Sequence, residues 1–190
     1  MDYKRIEWGK HKIDEGSFES AAVFDVNNDG VPDIVCGGFW YEGPDWVQHK
    51  ICDILCQNEY YDDFSTIPMD VNGDGYTDIV TGGWFGKTLV WRENPKGQRD
   101  KPWPLHPIAK CGHIETARAW DVDGDGQLEI VPNTPGHPLR FYKLQTDADG
   151  RPTGCFTEHL VHPERSGHGF GFGDINGDGR GELILATGWL

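Results

Sequence analysis

The sequence predicts an all-β fold, and three observations support this prediction. An acidic nine-residue loop occurs four times, each copy lies between two short apolar segments, and the copies recur at a nearly constant spacing. We name them loops one to four; they cover residues 25–33, 70–78, 121–129 and 174–182. Their first aspartates are 45, 51 and 53 residues apart. A period of about 40 to 50 residues is typical of repeat architectures such as propellers.

Each repeat predicts four strands in a fixed order. The segments before the loops read AAVFDV, STIPMDV, TARAWDV and GFGFGDI, and those after them read DIVCGG, DIVTGG, EIVPN and ELILATG. Short segments with β-branched residues, bounded by Gly and Asn, indicate strands rather than helices. A third element carries Trp-x-Glu-x-Pro at 40–44 and 91–95, with a degenerate counterpart at 140–143.

A fourth element repeats an aromatic residue, a histidine three positions later, and Ile or Val two positions after that. It occurs at 46–51, 103–108 and 156–161, and once more at the start, at 8–13. Because these histidines recur in phase with the repeat, we expect them to pack in outer strands rather than to catalyse a reaction.

Four strands per repeat form the blade of a β-propeller. The predicted fold is therefore an all-β propeller of four-stranded blades, with about four blades in a single domain, 1–190. We place an outer strand at 5–13 and blades at about 20–52, 63–109, 115–161 and 168–190, the last incomplete. The chain ends inside a repeated element, so it is either a four-bladed ring lacking one strand or, as we favour, the first part of a larger, seven-bladed ring. An open blade edge predicts self-association.

The loop chemistry predicts calcium. Side-chain oxygens at positions 1, 3, 5 and 9, with a backbone carbonyl at position 7, suit a cation that takes about 6 to 8 oxygen ligands. Glycine at position 6 permits the sharp turn. An EF-hand would need Glu at position 12, where this chain has Cys36, Thr81, Pro132 and Leu185. A metal-free Asn/Asp/Gly turn is the alternative, which four copies disfavour. The predicted ligands for up to four structural calcium ions are Asp25, Asn27, Asp29, Val31, Asp33, Asp70, Asn72, Asp74, Tyr76, Asp78, Asp121, Asp123, Asp125, Gln127, Glu129, Asp174, Asn176, Asp178, Arg180 and Glu182.

The composition limits which binding partners and which cellular compartment we expect for the protein. The net charge of −14 includes the loop carboxylates, and four calcium ions would bring it to about −6. No Lys/Arg cluster exists to neutralise phosphates, so nucleic acid is not an expected partner. No apolar run reaches the length of a membrane span, and the first residues lack a signal-peptide core. Five cysteines without CxxC spacing suggest free thiols. We therefore expect a cytoplasmic protein, or a secreted one if a signal peptide has been removed.

The acidic loops and their rhythm resemble the FG-GAP/VCBS repeats of integrin-type propellers over nearly the whole chain. Three segments, 61–70, 82–95 and 167–174, resemble the propeller part of aldos-2-ulose dehydratase-like proteins. That narrower resemblance implies a lyase acting on keto-sugars such as 1,5-anhydrofructose, in a propeller joined to cupin-like domains. This chain has no cupin-like portion, so the resemblance implies the fold more strongly than the activity.

A ligand site is predicted at the end of the sheets opposite the acidic loops, where innermost strands begin and second strands turn into third strands. His113 and His168 each occur only once at their blade positions, so either could be a general base beside a sugar carbonyl. Arg118 or Lys87 could stabilise the resulting enolate. The predicted substrate-binding residues are Tyr61, Asp63, Trp84, Glu115, His137 and Arg140. For each residue the alternative is a polar lining of the channel mouth, and for Trp84 a packed turn aromatic.

Three functions fit these features. The first is a carbon–oxygen lyase of the dehydratase type, which performs β-elimination on a keto-sugar or uronic acid. The second is a calcium-stabilised module that binds a small sugar, a glycan or a protein without chemistry, since fold alone does not define function. The third is a structural blade array that serves another domain's enzyme.

Overall fold

The computed structural model describes residues 7–165 and 167–190, and it confirms the all-β prediction. The strands form three four-stranded antiparallel sheets, one three-stranded sheet and a separate hairpin. In this described part of the chain no helix is long and apolar enough to cross a membrane. Because each sheet is built from consecutive strands, every repeat of the sequence becomes one local unit.

The strands follow one another along the chain in the order of the repeats. Sheet one holds β1 (Ala21–Phe24), β2 (Asp33–Cys36), β3 (Phe39–Glu42) and β4 (Val47–Lys50). The hairpin of β5 (Cys56–Gln57) and β6 (Tyr60–Tyr61) leads to sheet two, with β7 (Ile67–Met69), β8 (Asp78–Gly82), β9 (Thr88–Arg92) and β10 (Leu105–Lys110). Sheet three holds β11 (Thr116–Trp120), β12 (Glu129–Asn133), β13 (Pro138–Thr146) and β14 (Pro152–Arg165). Sheet four holds β15 (Gly171–Gly173), β16 (Glu182–Leu185) and β17 (Gly188–Trp189).

Two differences from the predicted strands concern the ends of the chain. Residues 7–20 form no strand, so the described part of the predicted outer strand 5–13 is irregular, and residues 5 and 6 lie outside the described residues. Trp8 is 87% exposed and therefore does not pack as the other aromatic residues of that motif do. Near the other end, Gly188–Trp189 pairs with β16 as a short third strand where two strands were expected.

Consecutive sheets pack face to face, with an apolar core between each pair. Between sheets one and two the core includes Val35, Trp40 and Ile79, and between sheets two and three it includes Val80, Leu89 and Ile130. A smaller core between sheets three and four contains Val131, Leu139 and Leu183. β8 and β12 are buried along their whole length, because neighbouring sheets cover both of their faces.

The first strands of the sheets lie side by side. β1 lies next to β7, and β7 lies next to β11. The acidic loops follow these first strands, whereas the connections between second and third strands lie at the other end of each sheet. The fold therefore separates the acidic loops from the predicted ligand site.

The repeated histidines pack as expected in three of the four copies. His49 lies opposite Trp40 across β3 and β4, and the two ring centroids are 4.5 Å apart. The corresponding pairs are Trp91 with His106 at 4.2 Å and Phe141 with His159 at 4.7 Å. These cross-strand aromatic contacts stabilise the outer halves of sheets one, two and three.

Candidate functional site

The four acidic loops adopt one conformation because their side chains bind their own backbone. In loop two, Asp70 Oδ1 accepts hydrogen bonds from Gly73 N and Asp74 N at 2.8 and 3.2 Å, and its Oδ2 accepts one from Gly75 N at 3.0 Å. Asn72 Oδ1 accepts from Asp74 N at 3.1 Å. Equivalent bonds surround Asp25, Asp121 and Asp174. The carboxylates are thus held in place by the turn that they form.

Glycine at position 6 is required by the backbone of these loops. Its φ is 85° at Gly30, 86° at Gly75, 90° at Gly126 and 86° at Gly179. A side chain is strained in this left-handed region, whereas glycine enters it freely. The sequence pattern therefore encodes the turn directly.

The acid at position 9 has a role that the sequence did not predict. Asp33, Asp78, Glu129 and Glu182 are all buried. Each accepts a hydrogen bond from the N–H of its loop's second residue, at 2.8 to 2.9 Å. The second oxygens of the two aspartates accept from Gly43 N at 2.8 Å and Asn94 N at 2.7 Å.

Burial raises the pKa of all three of the position-9 acids in loops one to three. For Asp78, burial and the neighbouring carboxylates of Asp74 and Asp70 raise the pKa to about 6, against the hydrogen bonds from Asn94 and Val71 that lower it. Burial is likewise the largest cause at Asp33 and Glu129. A cation beside these acids would offset the cost of their charge.

Third strands contribute acids to loops one and two. Glu42 on β3 accepts a hydrogen bond from the Asn27 side chain at 3.1 Å, and Glu93, directly after β9, accepts one from Asn72 at 3.4 Å. The hydrogen bond from Arg99 keeps the pKa of Glu42 below its usual range. Sequence reasoning did not assign these acids to the loops, although the repeated Trp-x-Glu-x-Pro motif was the signal that could have found them.

The calcium fit differs among the loops. Oxygens bound to one calcium at about 2.3 to 2.6 Å lie within about 5 Å of one another. In loop four, oxygens of Asp174, Asp178 and Glu182 lie within 4.8 Å of one another. In loop three, oxygens of Asp121, Asp123 and Glu129 do the same, but a lysine side chain reaches into this group. Loop four therefore offers a three-acid group that fits calcium with oxygen donors, whereas in loop three the lysine contacts that group. Among the described residues, loops one and two hold no three-acid group this compact, and in loop two Lys96 Nζ lies 3.6 Å from Asp74 Oδ2.

At the opposite end of the sheets, three connections place an aromatic ring next to an acid–imidazole pair. His168 Nδ1 lies 2.8 Å from Glu115 Oε1, and Glu115 Oε2 accepts a hydrogen bond from Asn133 Nδ2 at 2.9 Å. The Trp84 ring is stacked 6.4 Å from the His168 ring. These groups line an open cavity of about 470 Å³, together with Glu19, Asn58, Tyr60, Phe64 and Phe85.

His113 also contacts Trp84. Its Nδ1 lies 2.7 Å from the Trp84 carbonyl oxygen, and the two ring centroids are 4.6 Å apart. Asp62 holds the same turn by accepting hydrogen bonds from Phe85 N and Gly86 N, both at 2.8 Å. The turn that carries Trp84 is thus fixed by side chains from two other connections.

Of the other predicted site residues, two have packing roles. Asp63 is buried and accepts hydrogen bonds from Thr81 Oγ1 at 2.7 Å and Ser20 Oγ at 3.3 Å, so it joins the inner ends of sheets one and two. Tyr61 packs on Phe18, with ring centroids 4.5 Å apart. Neither residue lines the cavity bordered by Trp84, Glu115 and His168.

The predicted cations and His137 do not line the Trp84 cavity. Arg140 donates to Glu158 Oε1 at 2.9 Å on sheet three, and the His137 ring packs against Gly112. Lys87 is exposed in the turn after Trp84 and has a φ of 57°. Arg118 is exposed on β11 and lines a neighbouring cavity of about 420 Å³ that shares Glu115. The structure thus brings together His113, His168, Trp84 and Glu115.

The fold and the loops define an all-β protein of acidic-loop repeats. Residues 70–132, which run from loop two through loop three into β12, match the FG-GAP-like repeat family. A comparison with curated proteins finds no match.

Proposed function

We propose that this protein is a calcium-stabilised β-propeller that binds a small sugar or glycan in the Trp84 cavity. The observation that carries the proposal is the placement of the Trp84 ring, Glu115 and His168 around one opening. An indole offers a flat apolar surface to the C–H face of a sugar ring, while the carboxylate and imidazole can bind its hydroxyl groups. The three face-to-face sheet pairs support blades around a common axis, as part of a ring of four or seven blades.

The chemistry at this site is a β-elimination on a keto-sugar or uronic acid. When Nδ1 of His168 carries the proton and donates a hydrogen bond to Glu115, Nε2 has a free lone pair and can act as a base. Nε2 takes the proton from the carbon beside the carbonyl, a C=C bond forms, and the C–O bond to the next carbon's hydroxyl breaks. The imidazolium returns that proton to the departing hydroxyl, so the products are water and an α,β-unsaturated carbonyl compound, which is an enone for a keto-sugar and an unsaturated acid for a uronic acid.

Binding without chemistry is the second candidate, and one observation favours it. The His168 side chain is 70% exposed, so water reaches the acid–imidazole pair. Stabilisation of an enolate is most effective where water is excluded. A glycan- or protein-binding role does not require that water be excluded from the site.

Titration calorimetry and ultraviolet detection of an enone separate the two candidates. We expect keto-sugar binding by the wild type, at least a 10-fold loss of affinity in Trp84→Ala, and loss of the enone signal in His168→Ala. His159→Ala is the matched control, because His159 packs on Phe141 in sheet three and should leave both signals unchanged. Sugar binding without an enone signal would support the non-catalytic binding module and contradict the lyase. Equal affinity in the wild type and Trp84→Ala would overturn the cavity assignment.

A further inference from the structure

Loop three differs from loops one and two in the residue that its third strand supplies. Glu42 follows Trp40 by two positions on β3, and Lys143 follows Phe141 by two positions on β13. Trp40 and Phe141 occupy equivalent places, because each stacks on the histidine of its neighbouring strand. The repeat thus exchanges an acid for a lysine at one structural position, beside the loop.

The Lys143 ammonium lies among the carboxylates of loop three. Its Nζ donates to Asp123 Oδ2 at 2.5 Å and to Asp125 Oδ2 at 2.6 Å, and it lies 3.6 Å from Glu129 Oε1. These acids come from positions 3, 5 and 9, which are the predicted metal ligands.

Glu129 shows what the lysine does for the loop. Its side chain is fully buried, and Oε1 has no hydrogen-bond partner within the residues that the structure describes. A buried carboxylate oxygen without a donor is costly unless a positive charge lies close to it. The ammonium at 3.6 Å supplies that charge.

We infer that Lys143 takes the place of the metal in loop three, so that this loop holds its conformation without calcium. A calcium ion bound at about 2.3 to 2.6 Å from the same oxygens would lie within a few ångströms of the ammonium, and the two cations would repel each other. The inference rests on the proposed calcium binding by loops one, two and four. It reduces the capacity of the chain from four ions to three.

The number of ions bound per chain tests the inference. We expect equilibrium dialysis to give at most three calcium ions for the wild type and one more for Lys143→Glu, which restores the acid found in sheets one and two. Lys143→Gln removes the positive charge and keeps a side chain of similar length. It replaces Lys143→Glu in the experiment if the glutamate variant does not fold. Lys50→Glu makes the same charge change at a lysine that pairs with Asp53, outside the loops, and should add no ion.

Amide NMR assigns the ions to loops. In the wild type, added calcium should shift the amide signals of Gly177 and Gly179 in loop four and leave those of Gly124 and Gly126 in loop three in place. In Lys143→Glu, the loop three signals should shift as well. Four ions in the wild type, or no added ion in either Lys143 variant, would overturn the inference. A wild type that binds none while Lys143→Glu binds one would overturn only the proposed calcium sites of the other loops.

Discussion

Buried acids at position 9 connect the chemistry of single residues to the stability of the loops. Asp78 has no exposed surface, and its two oxygens accept the N–H groups of Val71 and Asn94. The carboxylate thus joins the end of a first strand to the connection that leaves the third strand. Its charge is nevertheless costly, because burial and two neighbouring loop acids oppose ionisation.

The pKa of Asp78 should depend on calcium. In the metal-free protein we expect the side-chain carboxyl carbon to titrate near pH 6, because burial raises its pKa to about 6. An unfolded Asp titrates near 3.9. The native state therefore binds this proton more tightly, and the contribution of Asp78 to the free energy of unfolding is full below about pH 4 and falls as pH rises through 6. Carbon-detected NMR titrations in chelator and in excess calcium measure the titration midpoint of the Asp78 carboxyl group. Calcium should lower the midpoint, and a metal-free midpoint below 4 would contradict the burial argument.

At the scale of elements, loops one and two are each covered by a connection or strand of the next sheet. Asn94, in the connection from β9 to β10, donates its side-chain N–H to Val26 O in loop one at 2.8 Å. Gly154, at the start of β14, donates its backbone N–H to Val71 O in loop two at 2.9 Å. Both bonds end on the carbonyl of the second loop residue. A loop of one sheet and a connection of the next therefore form a repeated joint.

Replacing Asn94 with Ala should weaken this joint. Asn94 is 1% exposed, and its side chain also donates to Thr77 O and accepts from Gly97 N. The change leaves buried carbonyl and N–H groups without partners, so we expect a loss of about 2 to 3 kcal/mol in the free energy of unfolding. Urea unfolding measures it. Gln98→Ala, at an exposed site in the same connection, is the control and should change stability by less than about 0.5 kcal/mol. Equal stability of the two variants would show that the joint contributes little.

The sequence predicted those elements whose residues determine their own conformation. The loops could be predicted because Gly30 and its counterparts, with the flanking acids, fix a turn without help from distant residues. The segment at 8–13 carries the outer-strand motif, yet a strand also needs a partner, and motif residues do not encode whether one is present. The cluster of Trp84, Glu115 and His168 followed from blade topology. The contacts of Lys143 with Asp123 and Asp125 did not, because they join the third strand of sheet three to the loop between its first two strands, and the sequence pattern does not show that these side chains meet.

For the whole molecule, stability depends on the packing between sheets that follow one another along the chain. Each core lies between two consecutive sheets, and the joints at the acidic loops cross the same interfaces. Order in a loop is therefore coupled to the packing of two sheets. A ligand that binds only the ordered loop would stabilise both.

Chelation should consequently destabilise the molecule as a unit. Each ion that binds only the native state adds roughly 2.7 kcal/mol at a hundredfold excess over Kd. With three proposed sites, we expect the Tm in chelator to fall by about 10 °C or more relative to excess calcium, since about 1 kcal/mol moves the Tm of a domain this size by about 2 to 4 °C. Differential scanning calorimetry measures the shift. Magnesium at the same concentration is the control and should restore little of it, because it retains its waters and prefers stricter octahedral geometry. Superimposable curves in chelator and calcium would contradict a structural role for the ion, and the loops would then hold their shape by the Asp–backbone hydrogen bonds alone.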